Sequence, residues 1–456
     1  PPTFAYYVFR HACGMEPCPA RSVFNDWAVR QAGHIKPIVN KPLNDAHWLD
    51  LGMGSLELGN QSNVLDGELL NSRIETAIRE SGKGAGLGKY NEARPFYTSP
   101  AFETESNDGP AWRTVHLGLD VFLPEGETVH APLAGTVHNL ADNKGERNYG
   151  PTVIIRHDVL PGLTFYTLYG HLDGLTLGKW KPGDNIKGGE QIGTIGAMHE
   201  NGGWPPHLHF QIMLDMLGKN GDYPGVAAPA LVEVWKSICP DPALLIKGSL
   251  PAVQQPPESP GLLAFREGHL GKNLSLSYRQ PLMVQRGYMQ YLYEADGRKY
   301  LDTVNNVAHV GHEHPRIVRA GQDQMAVLNT NTRYLHKNIV AFAEKLLATL
   351  PGPLSVAYVV NSGSEANELA LRMAKAYTRQ KDMVVVAVGY HGNTNACVDI
   401  SSYKFDRKGG TGAPGHVHVV PIPDTYRGIY REKEESGKRY AFHVKEAIEK
   451  VRSQGK

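Results

Sequence analysis

Short β-branched and aromatic runs punctuated by Gly and Pro fill the middle of the chain, and longer amphipathic runs fill its last third. "ETVHAPLAGTVHNL", "PTVIIRHDVL", "LTFYTLYGHL" and "EQIGTIGAM" predict an all-β antiparallel domain of hairpins over residues 96–247. "SLPAVQQPPESPG" is proline-rich and poor in apolar residues, so 248–261 reads as a linker. Beyond it, "RIVRAGQDQMAVL", "NIVAFAEKLLATL" and "EANELALRMAKAYTRQ" have helical spacing, while "LSVAYVV" and "MVVVAVGY" read as strands. Strands alternating with helices predict a parallel α/β sheet over 262–456. Residues 1–95 end in the glycine-marked loop "SGKGAGLGKYNEARP" and read as an N-terminal connecting or packing region without chemistry of its own.

One strand carries a candidate site. In "GGWPPHLHFQIML" the alternation His207-Leu208-His209-Phe210 places both imidazoles on one face, roughly 6–7 Å apart along the backbone. That spacing suits two ligands of one ion, or one ligand beside a proton-transfer group. A surface strand with two solvated histidines is the plainer alternative.

Composition narrows the class. The 456 residues contain Lys+Arg 47 against Asp+Glu 46, a formal net charge of +1, which gives no electrostatic case for a nucleic-acid partner or an anionic membrane. No window approaches the ~18–20 apolar residues of a membrane-spanning helix. Cys13, Cys18, Cys239 and Cys397 make neither a zinc ribbon nor a disulfide framework, so a reducing, cytoplasmic setting is expected. The start at Pro1-Pro2 rather than Met suggests a fragment or processed form, so the absence of a signal-peptide pattern says little about localisation.

Two further segments extend the candidate site. In "HLGLD", His116 and Asp120 would stand about 13 Å apart in a straight strand, and Gly118 between them permits a bend. In "YTLYGHLDGL", His171 follows Gly170 at the end of an aromatic strand. Catalytic zinc needs three protein ligands, an open position for water and separate groups to handle protons. Four histidines and one aspartate suffice for two histidine ligands, one aspartate ligand and two histidines for proton transfer. His130, His138, His157 and His199 match no such position.

The order "HLGLD … YGHL … GGEQIGTIG … PPHLHFQI" resembles the lysostaphin-type (LytM-like) zinc metalloendopeptidases over residues 110–215. The resemblance implies that His116, Asp120 and His209 bind Zn²⁺. It also implies that His171 and His207 orient and deprotonate water and stabilise the oxyanion, with peptide or peptidoglycan-like substrates. Trp204-Pro205-Pro206 departs from the small polar residues usual before H-x-H, which bears on substrate choice.

In "LSVAYVVNSGSEANELALRMAKAY", Asn361-Ser362-Gly363-Ser364 lies between an expected strand and a long helix, where backbone N–H groups can hold phosphate. Ser364-Glu365 also suits a plain helix cap. "VVAVGYHGNT" puts Tyr390 beyond the next strand, at a sheet edge where ligands bind. With "GKNLSLSYRQPLMVQRGYMQYLYEADGRKYLDTVNNVAHVGHEHPRI", this region resembles the class III pyridoxal-phosphate aminotransferases (fold type I) over about 262–430. It is closest to the ethanolamine-phosphate phospho-lyase and alanine–glyoxylate aminotransferase-2-like branch. The resemblance implies that Gly363 and Ser364 hold the pyridoxal 5'-phosphate group, that Tyr390 stacks on its ring, and that Asn305 and Asn306 lie near the active site. It further implies small amine or amino-acid substrates and a homodimer through this domain. The family's Schiff-base lysine and its pyridine-pairing aspartate are expected beyond residue 456, making this an incomplete α/β domain.

The expectation is therefore a multidomain chain, a zinc-dependent peptide-bond hydrolase joined to part of a cofactor enzyme. It resembles fusions in which a kinase-like module precedes these two. One alternative is a whole protein that is chiefly an aminotransferase or phospho-lyase with an ancillary β domain. Another is a metal-stabilised recognition module.

Overall fold

The computed structural model describes residues 2–106, 109–252, 259–305, 308–432 and 434–455. They form two compact units, Pro1–Asn329 and Thr330–Lys456.

The first unit is organised by an eight-stranded sheet. Its strands are β1 (His47–Trp48), β2 (Gly86–Gly88), β3 (Leu119–Phe122), β4 (Gly135–Asn143), β5 (Gly150–Leu160), β6 (Leu163–Gly170), β7 (Asn185–Ile186) and β8 (His207–Met213). The spatial order is β1-β2-β3-β8-β6-β5-β4-β7. Every ladder from β2 to β7 is antiparallel, whereas β1 runs parallel to β2. This parallel pair lies ahead of residues 96–247, the segment for which the sequence predicts an antiparallel domain. A parallel pair needs a long crossover, and residues 49–85 supply one that includes the helix Gly67–Glu80.

Residues 1–95 thus do more than connect. The helix Ala20–Gln31 sets Phe24 and Trp27 against Phe165 of β6, with ring centroids 4.9 and 5.3 Å apart. Tyr7, Phe24, Ile35 and Ile38 share one core with Leu208, Phe210 and Ile212 of β8. Burying each such side chain is worth about 1.5–3 kcal/mol. A second core joins Leu70 and Ile74 to Phe96, Tyr97, Phe102, Phe122 and Trp204. Strand β8 is buried along its whole length, so its histidine face looks into protein rather than water.

The unit also runs past the proline-rich stretch, of which 253–258 lie outside the described residues; a helix spans Ser259–His269. The meander β9 (Val284–Tyr288), β10 (Tyr291–Glu294) and β11 (Lys299–Leu301) packs onto the peptidase-like region. The Arg286 guanidinium donates to the carbonyls of Met53, Ser55 and Gly59 at 2.9, 2.8 and 3.0 Å. The Lys299 ammonium sits 3.7 Å from the Trp112 ring centre.

In the second unit the helix Gly363–Thr378 precedes a parallel pair, β12 (Met383–Val386) with β13 (Val417–Val420). Leu371, Val385, Cys397, Ile400, Phe405 and Val417 form its core. Residues 354–360, expected as a strand, carry no ladder in the described structure, and Val356 and Val359 are 72% and 69% exposed. A β-branched run becomes a strand only where an edge and an apolar cover receive it. Among the described residues no helix is long and apolar enough to cross a membrane.

Candidate zinc centre and candidate cofactor site

The zinc-type residues arrive from three strand ends. The short strand Val115–His116 ends just before Gly118, and β3 then delivers Asp120 opposite His209 of β8. A side chain at Gly118 would occupy the space taken by the His209 ring, so the close approach requires glycine there.

His116 Nε2, Asp120 Oδ1 and His209 Nδ1 converge, separated by 3.0, 3.1 and 3.2 Å. Ligand atoms of a tetrahedral zinc with bonds of about 2.0–2.1 Å lie about 3.3 Å apart. Proton placement strengthens the match. His116 Nδ1 donates to the Lys89 carbonyl at 3.0 Å, and His209 Nε2 donates to Gln211 Oε1 at 3.0 Å. The inward nitrogens of the neutral rings are then lone pairs, and Asp120 Oδ1 is a third. Three acceptors at these distances repel one another unless a cation lies among them. These residues fit a metal ion.

Asp120 is held from behind. Its Oδ2 accepts from Arg94 Nη1 at 2.6 Å, while Arg94 Nε bonds Glu92 Oε2 at 3.0 Å and Nη2 donates to the Lys89 carbonyl at 3.1 Å. Burial alone would raise the Asp120 carboxyl, but neighbouring His116 and Arg94 hold it well below the usual carboxylate range. Burial, with Arg94 nearby, pushes His116 down to about 4 against the pull of Asp120.

His171 and His207 stand beside this cluster with ring centroids 4.3 Å apart. His171 Nδ1 donates to the Asn201 carbonyl at 3.0 Å, and His207 Nδ1 donates to the Pro205 carbonyl at 2.6 Å. Each therefore keeps Nε2 unprotonated when neutral, and His207 Nε2 lies 3.8 Å from Asp120 Oδ1. Burial pushes both below the ordinary histidine value, His171 well below with the other two imidazoles adding to the effect. His171 has φ of 63°, a left-handed conformation of the kind that collects at functional sites. A cavity of about 330 Å³ opens over these groups, walled by Phe96, Tyr97, Phe102, Tyr149, Arg147 and Trp204.

The other histidines behave differently. His157 is a core residue with both ring nitrogens bonded, to the Ala134 carbonyl and Thr167 Oγ1.

In the second unit, Ser362 rather than Ser364 caps the helix, its Oγ accepting from Glu365 N at 3.1 Å. Ser364 Oγ instead accepts from Asn393 N at 3.1 Å, and Asn367 Nδ2 donates to the His391 carbonyl at 2.6 Å. The loop after Tyr390 thereby lies against the first helical turn. A Cβ at Gly363 would meet nothing within 4 Å, and Tyr390 is 54% exposed. An open first helical turn suits phosphate. In the first unit Asn305 folds onto Asp302, which accepts from its backbone and side-chain nitrogens at 2.9 Å each; Asn306 lies outside the described residues.

Residues 114–222 match the model of peptidase family M23, and residues 275–454 match aminotransferase class-III. The chain carries an M23 peptidase domain and a class III aminotransferase domain. Over 198 residues it is 43% identical to "Alanine--glyoxylate aminotransferase 2-like" of Drosophila melanogaster, covering 42% of this chain and 40% of that protein. Over 203 residues it is 39% identical to "Ethanolamine-phosphate phospho-lyase homolog 1" of Caenorhabditis elegans, covering 42% and 43%. A solved phospholyase from Arthrobacter, in complex with phosphoethanolamine, is 36% identical with a TM-score of 0.39, covering 42% of this chain and 45% of its own. The chain thus spans about 40% of the length of the curated relatives it matches.

Sequence reading missed part of the M23 site. Gln211 follows His207 and His209 on the same strand face, a period-two signal that was available. Arg94 and Glu92 precede the matched segment in "NEARP", and no local pattern marks them.

Proposed function

We propose that the M23 domain is a zinc-dependent peptide-bond hydrolase with His116, Asp120 and His209 as metal ligands. The observation that carries this is the convergence of three lone-pair atoms at 3.0–3.2 Å, with two further histidines beside them. Zinc, when bound, would supply Lewis acidity and a water acidic near neutral pH. His207 and His171, neutral through burial, would take the water proton at Nε2 and pass it to the leaving amine. The carbonyls of Pro205 and Asn201 keep each ring's other nitrogen protonated and its orientation fixed. Peptidoglycan-like cross-bridge peptides are the expected substrates.

The test is metal content with hydrolysis. Zinc-reconstituted protein should hold about one Zn²⁺ per chain and release amino groups from purified peptidoglycan or short peptides. Chelation should abolish the release and zinc restore it. Reconstituted protein without zinc would overturn the proposal.

A second reading concerns the class III domain, on the strength of relatives named as aminotransferases and a phospho-lyase. Gly363 and Ser364 would hold the phosphate of pyridoxal 5'-phosphate, and Tyr390 would stack on its ring. That cofactor supplies an electron sink for amine chemistry. A small amine or phospho-amine substrate and a homodimer through this domain belong to the same reading.

A further inference from the structure

The Trp204-Pro205-Pro206 segment is left unexplained by the metal site, and beside it lies a half-buried cation. Arg147 lines the cavity over the histidines. Its guanidinium stacks 4.6 Å from the Trp204 ring centre. Nη2 donates to the Leu65 carbonyl at 2.8 Å, but Nη1 is buried and has no hydrogen-bond partner. Burial opposes the guanidinium's charge, while Glu146, which also lines the cavity, and Asp66 favour it electrostatically.

A guanidinium does not deprotonate, so an unpaired buried N–H of this kind is a standing cost that needs a reason. The backbone pays as well: Arg147 has φ of 62°, held there by its N–H bond to the Gly202 carbonyl at 2.8 Å. The position is also rigidly linked to the chemistry. Trp204 N donates to Asn201 Oδ1 at 3.0 Å, and Asn201 Nδ2 donates to the Trp204 carbonyl at 3.0 Å. The carbonyl of the same Asn201 accepts from His171 Nδ1. Arg147, Trp204, Asn201 and His171 therefore form one connected unit, with the guanidinium one indole ring away from a proton-transfer histidine.

We propose that Arg147, stacked on Trp204, is a carboxylate-recognition subsite, so that the hydrolase selects peptides bearing a carboxylate beside the scissile bond. This rests on the peptidase reading. A planar fork with a free N–H suits a carboxylate, and the aromatic wall beneath it fixes the fork's plane. The carboxylate belongs to the substrate's own C-terminus or to an acidic side chain.

Calorimetric titration with three probes tests the proposal: acetyl-Gly-Gly, acetyl-Gly-Gly-amide and acetyl-Gly-Asp-amide, on zinc-loaded and zinc-stripped protein. At least one carboxylate probe should bind about tenfold or more tightly than the neutral amide, with and without zinc, and Arg147→Gln should erase the preference. The tighter of the two carboxylates names the source. Equal binding of all three probes to the unaltered protein would overturn the proposal, even should the variant fail to fold. A preference that is lost when zinc is stripped and survives in zinc-loaded Arg147→Gln would overturn it too, because the carboxylate would then be a metal ligand. Retained preference without hydrolysis of any peptide would instead sink the peptidase reading.

Discussion

The strand-end cluster around His209 and the helix turn at Gly363 begin from similar signals, short motifs where an element meets a loop. They end in opposite environments. His116, Asp120 and His209 are 0%, 2% and 3% exposed, and each inward atom has its outward partner fixed by Lys89, Arg94 or Gln211. Around Gly363 the groups lie open, Tyr390 is half exposed, and the helix Lys337–Leu347 of the same unit buries none of its residues. The difference teaches that a motif becomes a preorganised site only when surrounding chain removes water and holds the far side of each group. In the M23 domain this chain supplies that second layer itself.

The largest effect should separate ligands from proton carriers. His209→Ala removes one of three donors and should lower zinc affinity by orders of magnitude, read by competition with a chromophoric chelator. His207→Ala should keep zinc and lose roughly 10²–10⁴ in hydrolysis rate. Zinc loss in His207→Ala with retention in His209→Ala would reverse the two roles.

A smaller effect probes the layer behind the metal. Arg94→Met removes the guanidinium behind Asp120 Oδ2, leaves Glu92 with Lys89, and should weaken zinc binding about 10–100-fold. An unchanged affinity would mean that Asp120 is positioned by its strand alone. The smallest effect lies on the open side of the comparison. Ser362→Ala removes the helix cap and should cost about 1 kcal/mol in urea denaturation of the second unit. A cost several times larger would show the turn to be more tightly built than its exposure indicates.

Much of the cluster around His209 was readable along the chain because its residues sit at period-two positions and beside a glycine bend, where spacing translates directly into facing. His116 and Asp120 became neighbours through the bend at Gly118, and His207 and His209 shared a face. Arg94 was not readable. It acts across 26 residues of sequence on Asp120, and nothing local distinguishes a buried arginine from a solvated one. The strand expected at 354–360 shows the converse limit, since its β-branched residues lacked an edge to join.

What the sequence by itself determined is the identity of the reactive groups and their local facing, because backbone periodicity and glycine freedom are properties of a few adjacent residues. The tertiary structure alone decided which nitrogen of each histidine turns inward, that a mixed sheet draws residues 1–95 into the same core, and that Arg147 is left with an unpaired N–H beside Trp204. Those outcomes depend on burial and on partners far apart in the chain, and no local pattern carries them.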